Sequence, residues 1–251
     1  MFTPKQILSA ALALVASTAS YAGPASTFSG FDASPSGSVF GTNSLGKRTS
    51  FLQQFAALSV ASFGFEDAEG VHLGISTLPI VADFGAVKAT VTSPGGEFKG
   101  IAEQGRFDTT SGTGQYLRVQ AGTSNFKITF DTDVSAFGFY ATDVGDFEGT
   151  LSLLLRDAAD NLIDTLTVRD QSPNNSLSGS LLFYGFADRN VAYRSVTFQS
   201  TGSTDFFGFD DFVVGTRDQL VSGTIPEPGS LALVGLALCA VGFARKATRS
   251  A

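Results

Sequence analysis

The sequence predicts an all-β fold: an antiparallel sandwich of two sheets, jelly-roll-like, with one short helix at the start of the domain. Three observations predict it. Apolar and polar residues alternate with a period of two in many short runs between residues 61 and 214. Turn-forming segments such as 93–96, 157–161 and 172–175 separate these runs. The composition includes 24 phenylalanines and 28 glycines, which is typical of β-sandwiches rather than of helical proteins.

The first 22 residues have the features of a cleavable secretory signal peptide. Lys5 precedes an apolar run at residues 7–16, and Ser20 and Ala22 supply small residues at the −3 and −1 positions of a cleavage site after Ala22. The apolar run is too short for a stable membrane anchor. The alternative is a helix buried in the core.

Residues 23–49 are rich in serine, glycine, threonine and proline, and we expect an irregular arm there. The domain itself is expected to span residues 50–218. Ser50 and Gln53 fit a capping box, so the sequence predicts a helix over residues 51–58, the one helix of the mature domain. Three apolar side chains recur there at helical spacing: Phe51, Phe55 and Leu58.

The period then changes from helical to two, and the rest of the domain is predicted to be strands. Asp157 and Asn161 frame a hairpin connection, because Asp and Asn tolerate left-handed backbone conformations. Alternation also places most phenylalanines of the last strand in the core. The predicted strands are 61–66, 87–92, 116–120, 126–130, 134–142, 150–157, 161–168, 181–187, 193–199 and 205–214.

The C-terminus carries a second set of processing features. A linker at 219–229 contains Pro226, Glu227 and Pro228, whose prolines forbid a helix and indicate an extended, accessible junction. An apolar segment follows at 230–244, about 22 Å long as a helix and therefore short for a bilayer core of about 30 Å. The basic tail at 245–251 is expected to stay cytoplasmic.

This combination of motif, apolar segment and basic end resembles the PEP-CTERM sorting signal. The resemblance implies that a membrane-embedded exosortase recognises Pro226, Glu227 and Pro228 and cuts near them. It also implies export across the inner membrane of a Gram-negative bacterium that makes exopolysaccharide. The alternative is an ordinary C-terminal anchor. The segments 61–67, 136–149 and 207–215 resemble a β-sandwich domain of PEP-CTERM proteins, which implies fold and compartment but no activity.

Charge and composition narrow the classes of function. Of 23 acidic and 16 basic residues, one acid and four basic residues lie in the two end segments, so residues 23–225 carry a net charge of −10. Such a domain repels nucleic acid and is compatible with divalent cations or neutral sugars. The only cysteine, Cys239, lies in the apolar tail, and the only histidine is His72, expected at the surface. These counts argue against a disulfide framework, a zinc site or a positioned catalytic triad.

Two acidic pairs suggest a Ca²⁺ site. Glu66 and Asp67 end the first predicted strand, and Asp210 and Asp211 lie in the last. First and last strands of sugar-binding sandwiches commonly lie side by side, so the four carboxylates are expected to supply half of a calcium coordination shell. The alternative is that each pair is solvated at a strand end.

A second acidic cluster lies in one loop, where Asp143, Asp146 and Glu148 form either a loose ion-binding or sugar-contacting loop or a solvated turn. Glycan stacking, if present, is assigned to Tyr140 and Tyr184, because the chain has no tryptophan. A glycosidase would need two carboxylates about 5–10 Å apart, a distance that sequence does not give.

The predicted function is therefore an exported, non-catalytic surface or matrix protein associated with exopolysaccharide or biofilm, with no catalytic residue and no cofactor beyond Ca²⁺. Its expected partners are the secretion translocon, an exosortase-type membrane enzyme and exopolysaccharide. The alternatives are a calcium-assisted carbohydrate-binding module and, third, a polysaccharide-acting hydrolase.

Overall fold

The structure, a computed structural model, is an antiparallel β-sandwich, as the sequence predicts. It describes residues 26–33, 41–56, 62–63, 79–93, 97–100, 115–122, 125–171, 177–202 and 205–221. The strands are β1 (Ser26–Asp32), β2 (Ser62–Phe63), β3 (Ile80–Asp83), β4 (Lys88–Thr92), β5 (Glu97–Gly100), β6 (Gln115–Gln120), β7 (Phe126–Val134), β8 (Ala136–Thr142), β9 (Thr150–Arg156), β10 (Leu162–Asp170), β11 (Leu181–Ala187), β12 (Tyr193–Ser200) and β13 (Phe206–Gly215). The helices are α1 (Thr42–Leu52) and a short 3-10 helix (Arg217–Gln219).

The strands form two sheets. The larger sheet has the order β1-β11-β8-β13-β6-β5, with β2 paired to β13 off this path. The smaller sheet has the order β10-β9-β12-β7-β4-β3. Neighbours in each sheet are antiparallel, so alternate side chains of every strand point into the space between the sheets. That alternation produces the core.

Phenylalanine rings dominate the core between the sheets. Phe139 on β8 lies 4.8 Å, centroid to centroid, from Phe198 on β12, and Phe126 on β7 lies 5.0 Å from Phe209 on β13. Both contacts join one sheet to the other. Each fully buried ring contributes about 1.5–3 kcal/mol from removal of apolar area from water. The aromatic core thus explains how a domain without cysteine holds its fold.

A second apolar cluster lies on the outer face of the larger sheet, beneath α1. The Phe51 ring rests on Gly138 and Gly185, which are directly opposite each other on β8 and β11. A Cβ atom added at Gly138 would lie 2.8 Å from the ring, and one at Gly185 would lie 2.9 Å from it. The two glycines therefore form a depression that the Phe51 ring occupies.

The predicted helix is displaced in the structure. The sequence predicts residues 51–58, whereas α1 spans Thr42–Leu52, and Ser50 lies inside it, donating from Oγ to the Gly46 carbonyl at 3.0 Å. The cap comes from β1: the Asp32 carboxylate accepts hydrogen bonds from the backbone N–H groups of Asn43 and Ser44 at 3.1 and 2.8 Å. A cap from so distant a residue leaves no local sequence signature.

The irregular arm predicted at 23–49 is also corrected, because it contains β1 and most of α1. The short strands β3 and β5 were not predicted either. The hairpin between β9 and β10 is confirmed, with Asp160 in a left-handed conformation (φ 63°). Its turn is held by the Asp157 carboxylate, which accepts from the N–H groups of Ala159 and Asn161 at 2.9 and 2.8 Å.

Candidate functional site

Asp210 and Asp211 occupy a distortion of β13 on the larger sheet. The pairing register with β8 shifts between Asp210 and Val213, and Asp211 has a left-handed φ of 50°. The side chain of Asp210 is fully buried, and its Oδ1 accepts from the Asp211 N–H at 2.8 Å. A buried carboxylate is costly unless hydrogen-bonded or balanced by positive charge. The Asp211 N–H supplies one such hydrogen bond to Asp210, and the two residues are the described half of the predicted Ca²⁺ site.

The strand that leads to the other acidic pair lies beside this bulge. β2 pairs with β13 through Phe63 opposite Phe212 and Ser62 opposite Val213. The predicted first and last strands are therefore adjacent in the sheet, as expected. Glu66 and Asp67 themselves lie outside the described residues, as does His72, so the four-carboxylate site stays a prediction. Within the described ranges, no three Asp, Glu, His or Cys side chains are grouped so as to hold a metal ion.

Tyr140 lies next to this region, beneath α1, and is 2% exposed. Burial raises the pKa of Tyr140 to about 12; the charge of Arg48 opposes the rise, and the carboxylates of Asp211 and Asp32 add to it. The Arg48 guanidinium lies 5.9 Å from the centre of the tyrosine ring. The hydroxyl is therefore neutral at physiological pH, which makes it unsuited to act as a base or nucleophile.

The stacking role predicted for two tyrosines is corrected by their burial. Tyr184 is 4% exposed and points into the core between the sheets, where burial, and then the charge of Asp164, raises its pKa to about 12. Neither Tyr184 nor Tyr140 presents a ring face to solvent. Both lie on strands whose two faces are covered, and alternation alone does not reveal a covered outer face.

The loop with Asp143, Asp146 and Glu148 is held against the neighbouring segment rather than open. The N–H of Asp143 donates to the Ser180 carbonyl at 2.9 Å, and its Oδ1 accepts from the Gly179 N–H at 2.6 Å. Asp143 is buried and Glu148 is exposed, so the acidic side chains do not share one environment. The carboxylate of Asp143 fixes the loop, and no metal-binding group of three forms in this described part of the chain.

The outer face of the smaller sheet is polar. Thr90 and Thr129 are directly opposite each other on β4 and β7, and Arg194 pairs with Asp133 at 3.0 Å. The large hydrophobic side chains exposed in the described part of the chain are aliphatic: Leu45, Val81, Leu162 and Val221. Among the side chains that the structure describes, no aromatic one is therefore largely exposed, as a platform for sugar stacking would be.

The last described segment ties the end of the domain to the turn after α1. The Ala56 N–H donates to the Gln219 carbonyl, and the Val221 N–H donates to the Gln54 carbonyl, both at 2.7 Å. Arg189 Nη1 donates to the carbonyl oxygens of Leu220, at 2.6 Å, and of Val221. The folded domain therefore extends at least to Val221, slightly beyond the predicted end at residue 218.

The residues that follow this segment match a known sorting motif. Residues 224–247 match the model of the PEP-CTERM protein-sorting motif. The tail carries a PEP-CTERM sorting motif. Such a motif implies that the chain is exported and held transiently in a membrane. Its key residues, Pro226, Glu227 and Pro228, and the apolar segment 230–244 lie outside the described residues. Among the residues that are described, no helix has the length and apolar character needed to cross a membrane.

Solved structures resemble this chain only distantly. The K2 cleaved adhesin domain of Lys-gingipain is 11% identical with a TM-score of 0.38, covering 62% of this chain and 97% of that one. TmCBM61, solved with β-1,4-galactotriose, is 14% identical with a TM-score of 0.31 and covers 61% and 94%. CBM6cm-2 from Cellvibrio mixtus lichenase 5A, solved with cellotriose, is 8% identical with a TM-score of 0.33 and covers 63% and 98%. Similarity at this level indicates nothing about a ligand of this chain. A search of curated proteins found no match.

Three residues of these sites were not found from sequence. Asp32 caps α1, Arg48 lies over Tyr140, and Arg189 binds the last carbonyls of the domain. Each acts on a segment far away in the chain, and none belongs to a motif. By contrast, Pro226, Glu227 and Pro228 form a motif that can be recognised in the sequence itself.

Proposed function

We propose that this chain is the precursor of a non-catalytic, exported β-sandwich protein of the cell surface or exopolysaccharide matrix of a Gram-negative bacterium. An exosortase-type membrane enzyme recognises Pro226, Glu227 and Pro228 and removes the tail. The match of residues 224–247 to the sorting motif, directly after a domain folded to Val221, is the observation that carries this proposal.

A non-catalytic role has separate support. The whole chain contains one histidine and lacks the motifs of common nucleophilic or phosphate-binding enzymes. The two buried tyrosines have raised pKa values, opposite to what a base at neutral pH needs. A structural or matrix role needs a stable domain and a route out of the cell, and the sandwich and the tail meet those needs.

The test replaces Pro226, Glu227 and Pro228 by alanine in the full chain, expressed in a Gram-negative bacterium that encodes an exosortase. We expect the wild-type protein to lose its tail and leave the inner membrane, and the variant to remain there at full C-terminal mass. Cell fractionation and intact-mass measurement give the result. Asp83→Asn, on the edge strand β3, is the control and should be processed normally. Release of the triple variant at the wild-type rate would refute the proposal.

A second candidate, a Ca²⁺-assisted glycan-binding module, is favoured by one observation. β2, which leads to Glu66 and Asp67, lies beside the bulge of β13 with the buried Asp210. A bound Ca²⁺ would relieve the repulsion among these carboxylates. The test is affinity electrophoresis of the full chain, in detergent, through gels containing the host exopolysaccharide, with Ca²⁺ or with chelator. Retardation only in Ca²⁺ would support binding; equal mobility in both gels would count against it.

A further inference from the structure

The end of the domain is held by a set of contacts that we call the C-terminal clamp, formed by residues 217–221, Gln54–Ala56 and Arg189. Phe55 and Leu220 form an isolated antiparallel β-bridge, and the hydrogen bonds of Ala56 N–H to the Gln219 carbonyl and of Val221 N–H to the Gln54 carbonyl make it. Leu220 is 4% exposed within the apolar cluster under α1. Arg189 Nη1 donates hydrogen bonds to the carbonyl oxygens of both Leu220 and Val221. A charged donor makes these the strongest single contacts of the clamp.

The clamp begins close to the processing motif. Only Ser222, Gly223, Thr224 and Ile225 separate Val221 from Pro226. Fully extended, four residues span at most about 14 Å. Release of residues 217–221 would lengthen the reachable chain to nine residues, or about 30 Å. The state of the clamp therefore sets how near the folded domain stands to an enzyme that acts on the motif.

We propose that the C-terminal clamp limits tail removal, because the membrane processing enzyme engages the motif efficiently only when residues 217–221 have detached from the domain. This inference rests on the proposed function. The segment is suited to local opening, since it is the last described segment of the domain and Val221 is exposed. The partner is the membrane-embedded enzyme, which a folded domain within about 14 Å would obstruct.

Hydrogen exchange on the full chain in detergent tests the clamp itself. In Arg189→Ala, the amides of Ala56 and Val221 should exchange about tenfold faster or more, while amides of the central strand β8 keep their protection. Arg194→Ala is the matched control, because that arginine pairs with Asp133 on the smaller sheet. Unchanged exchange at Ala56 and Val221 in Arg189→Ala would overturn the assignment of the clamp.

The rate of tail removal tests its role, in pulse-chase experiments in the exosortase-bearing host. Arg189→Ala and a five-residue Gly-Ser insertion between Val221 and Ser222 should each speed removal several-fold, and Arg194→Ala should not. The insertion lengthens the reachable chain without touching the fold, so it remains informative if Arg189→Ala is unstable. Tail removal at the wild-type rate in both variants would overturn the inference. So would a second result: hydrogen exchange shows that the clamp is open in Arg189→Ala, but only the insertion variant loses its tail faster. A wild-type chain that keeps its tail would instead contradict the proposed function, and this inference with it.

Discussion

The burial of Tyr140 and Tyr184 depends on which faces of the sheet are covered, and the sequence does not show which faces those are. Alternation places Tyr184 in the core between the sheets, whereas Tyr140 points to the opposite face of its sheet, which α1 covers. Both hydroxyls are removed from water, and both pKa values rise to about 12, chiefly through burial. The two tyrosines were predicted to stack on a glycan, but in the structure they belong to two separate apolar clusters.

These pKa values predict a loss of stability at alkaline pH. The folded-state pKa is raised above the unfolded value of about 10, so the neutral tyrosines stabilise the domain fully below pH 10, and this contribution is lost as pH rises towards 12. The full effect is on the order of 2–3 kcal/mol for each tyrosine. Urea unfolding of the tail-free domain at pH 9 and pH 11 measures it.

Tyr184→Phe removes one of these groups and should flatten the pH dependence of stability. The ultraviolet titration of the wild type should show at least two tyrosines that ionise well above 10. An identical slope between pH 9 and 11 in Tyr184→Phe and wild type would contradict the assigned burial of that hydroxyl.

At the scale of elements, α1 is stabilised by its surroundings rather than by its own sequence. It contains Gly46 and several Ser and Thr residues, which are poor helix formers. Its cap is Asp32 of β1, and its main anchor is Phe51, which lies on the paired glycines of β8 and β11. The helix therefore depends on the sheet, and the outer face of the sheet depends on the helix for cover.

Phe51→Ala should lower the free energy of unfolding by about 3–5 kcal/mol, because it empties a fully buried site. Gly185→Ala should lower it by about 1–3 kcal/mol, since the new methyl group would press against the same ring. Leu45→Ala, an exposed position of α1, is the control and should change stability by less than about 0.5 kcal/mol. Urea unfolding compares the three. Equal losses for Phe51→Ala and Leu45→Ala would show that α1 does not anchor through Phe51.

At the scale of the whole molecule, the sequence predicts a cleavable signal peptide at residues 1–22. Protein purified from the envelope or medium should begin at Gly23, because Ser20 and Ala22 define the cleavage site. N-terminal sequencing reads the outcome. A mature protein that still starts at Met1 would refute export by this signal.

The calcium hypothesis also belongs to the whole molecule, because it needs two distant segments to meet. Ca²⁺ that binds only the folded state raises stability by about 2.7 kcal/mol at a hundredfold excess over Kd. For a domain of about 200 residues this corresponds to roughly 5–10 °C in Tm. Thermal melts of the tail-free domain with millimolar Ca²⁺ and with chelator measure the shift.

Asp210→Asn should remove most of this shift, whereas Glu148→Gln, an exposed carboxylate of the other acidic loop, should keep it. Asparagine preserves the size of the buried side chain, so the variant tests charge rather than packing. Coincident melts of the wild type in Ca²⁺ and chelator would leave the bulge as a purely structural feature.

The sequence alone determined the fold class and the sorting signal. Period-two alternation is a local property, so runs such as those around Phe139 and Phe198 identified core strands without any tertiary information. The Pro226–Glu227–Pro228 pattern is equally local, because it consists of three consecutive residues. It was confirmed by the match to residues 224–247.

The tertiary structure decided what depends on contacts between distant segments. It placed the helix at Thr42–Leu52 rather than at the predicted residues 51–58. The helix is capped by Asp32, and Phe51 packs on a pair of glycines of two other strands. It buried Tyr140, because a sequence does not show which sheet face a helix will cover. It showed that the folded domain extends at least to Val221, because Arg189 binds the carbonyl oxygens of Leu220 and Val221. Each of these depends on long-range packing, which no local pattern of residues encodes.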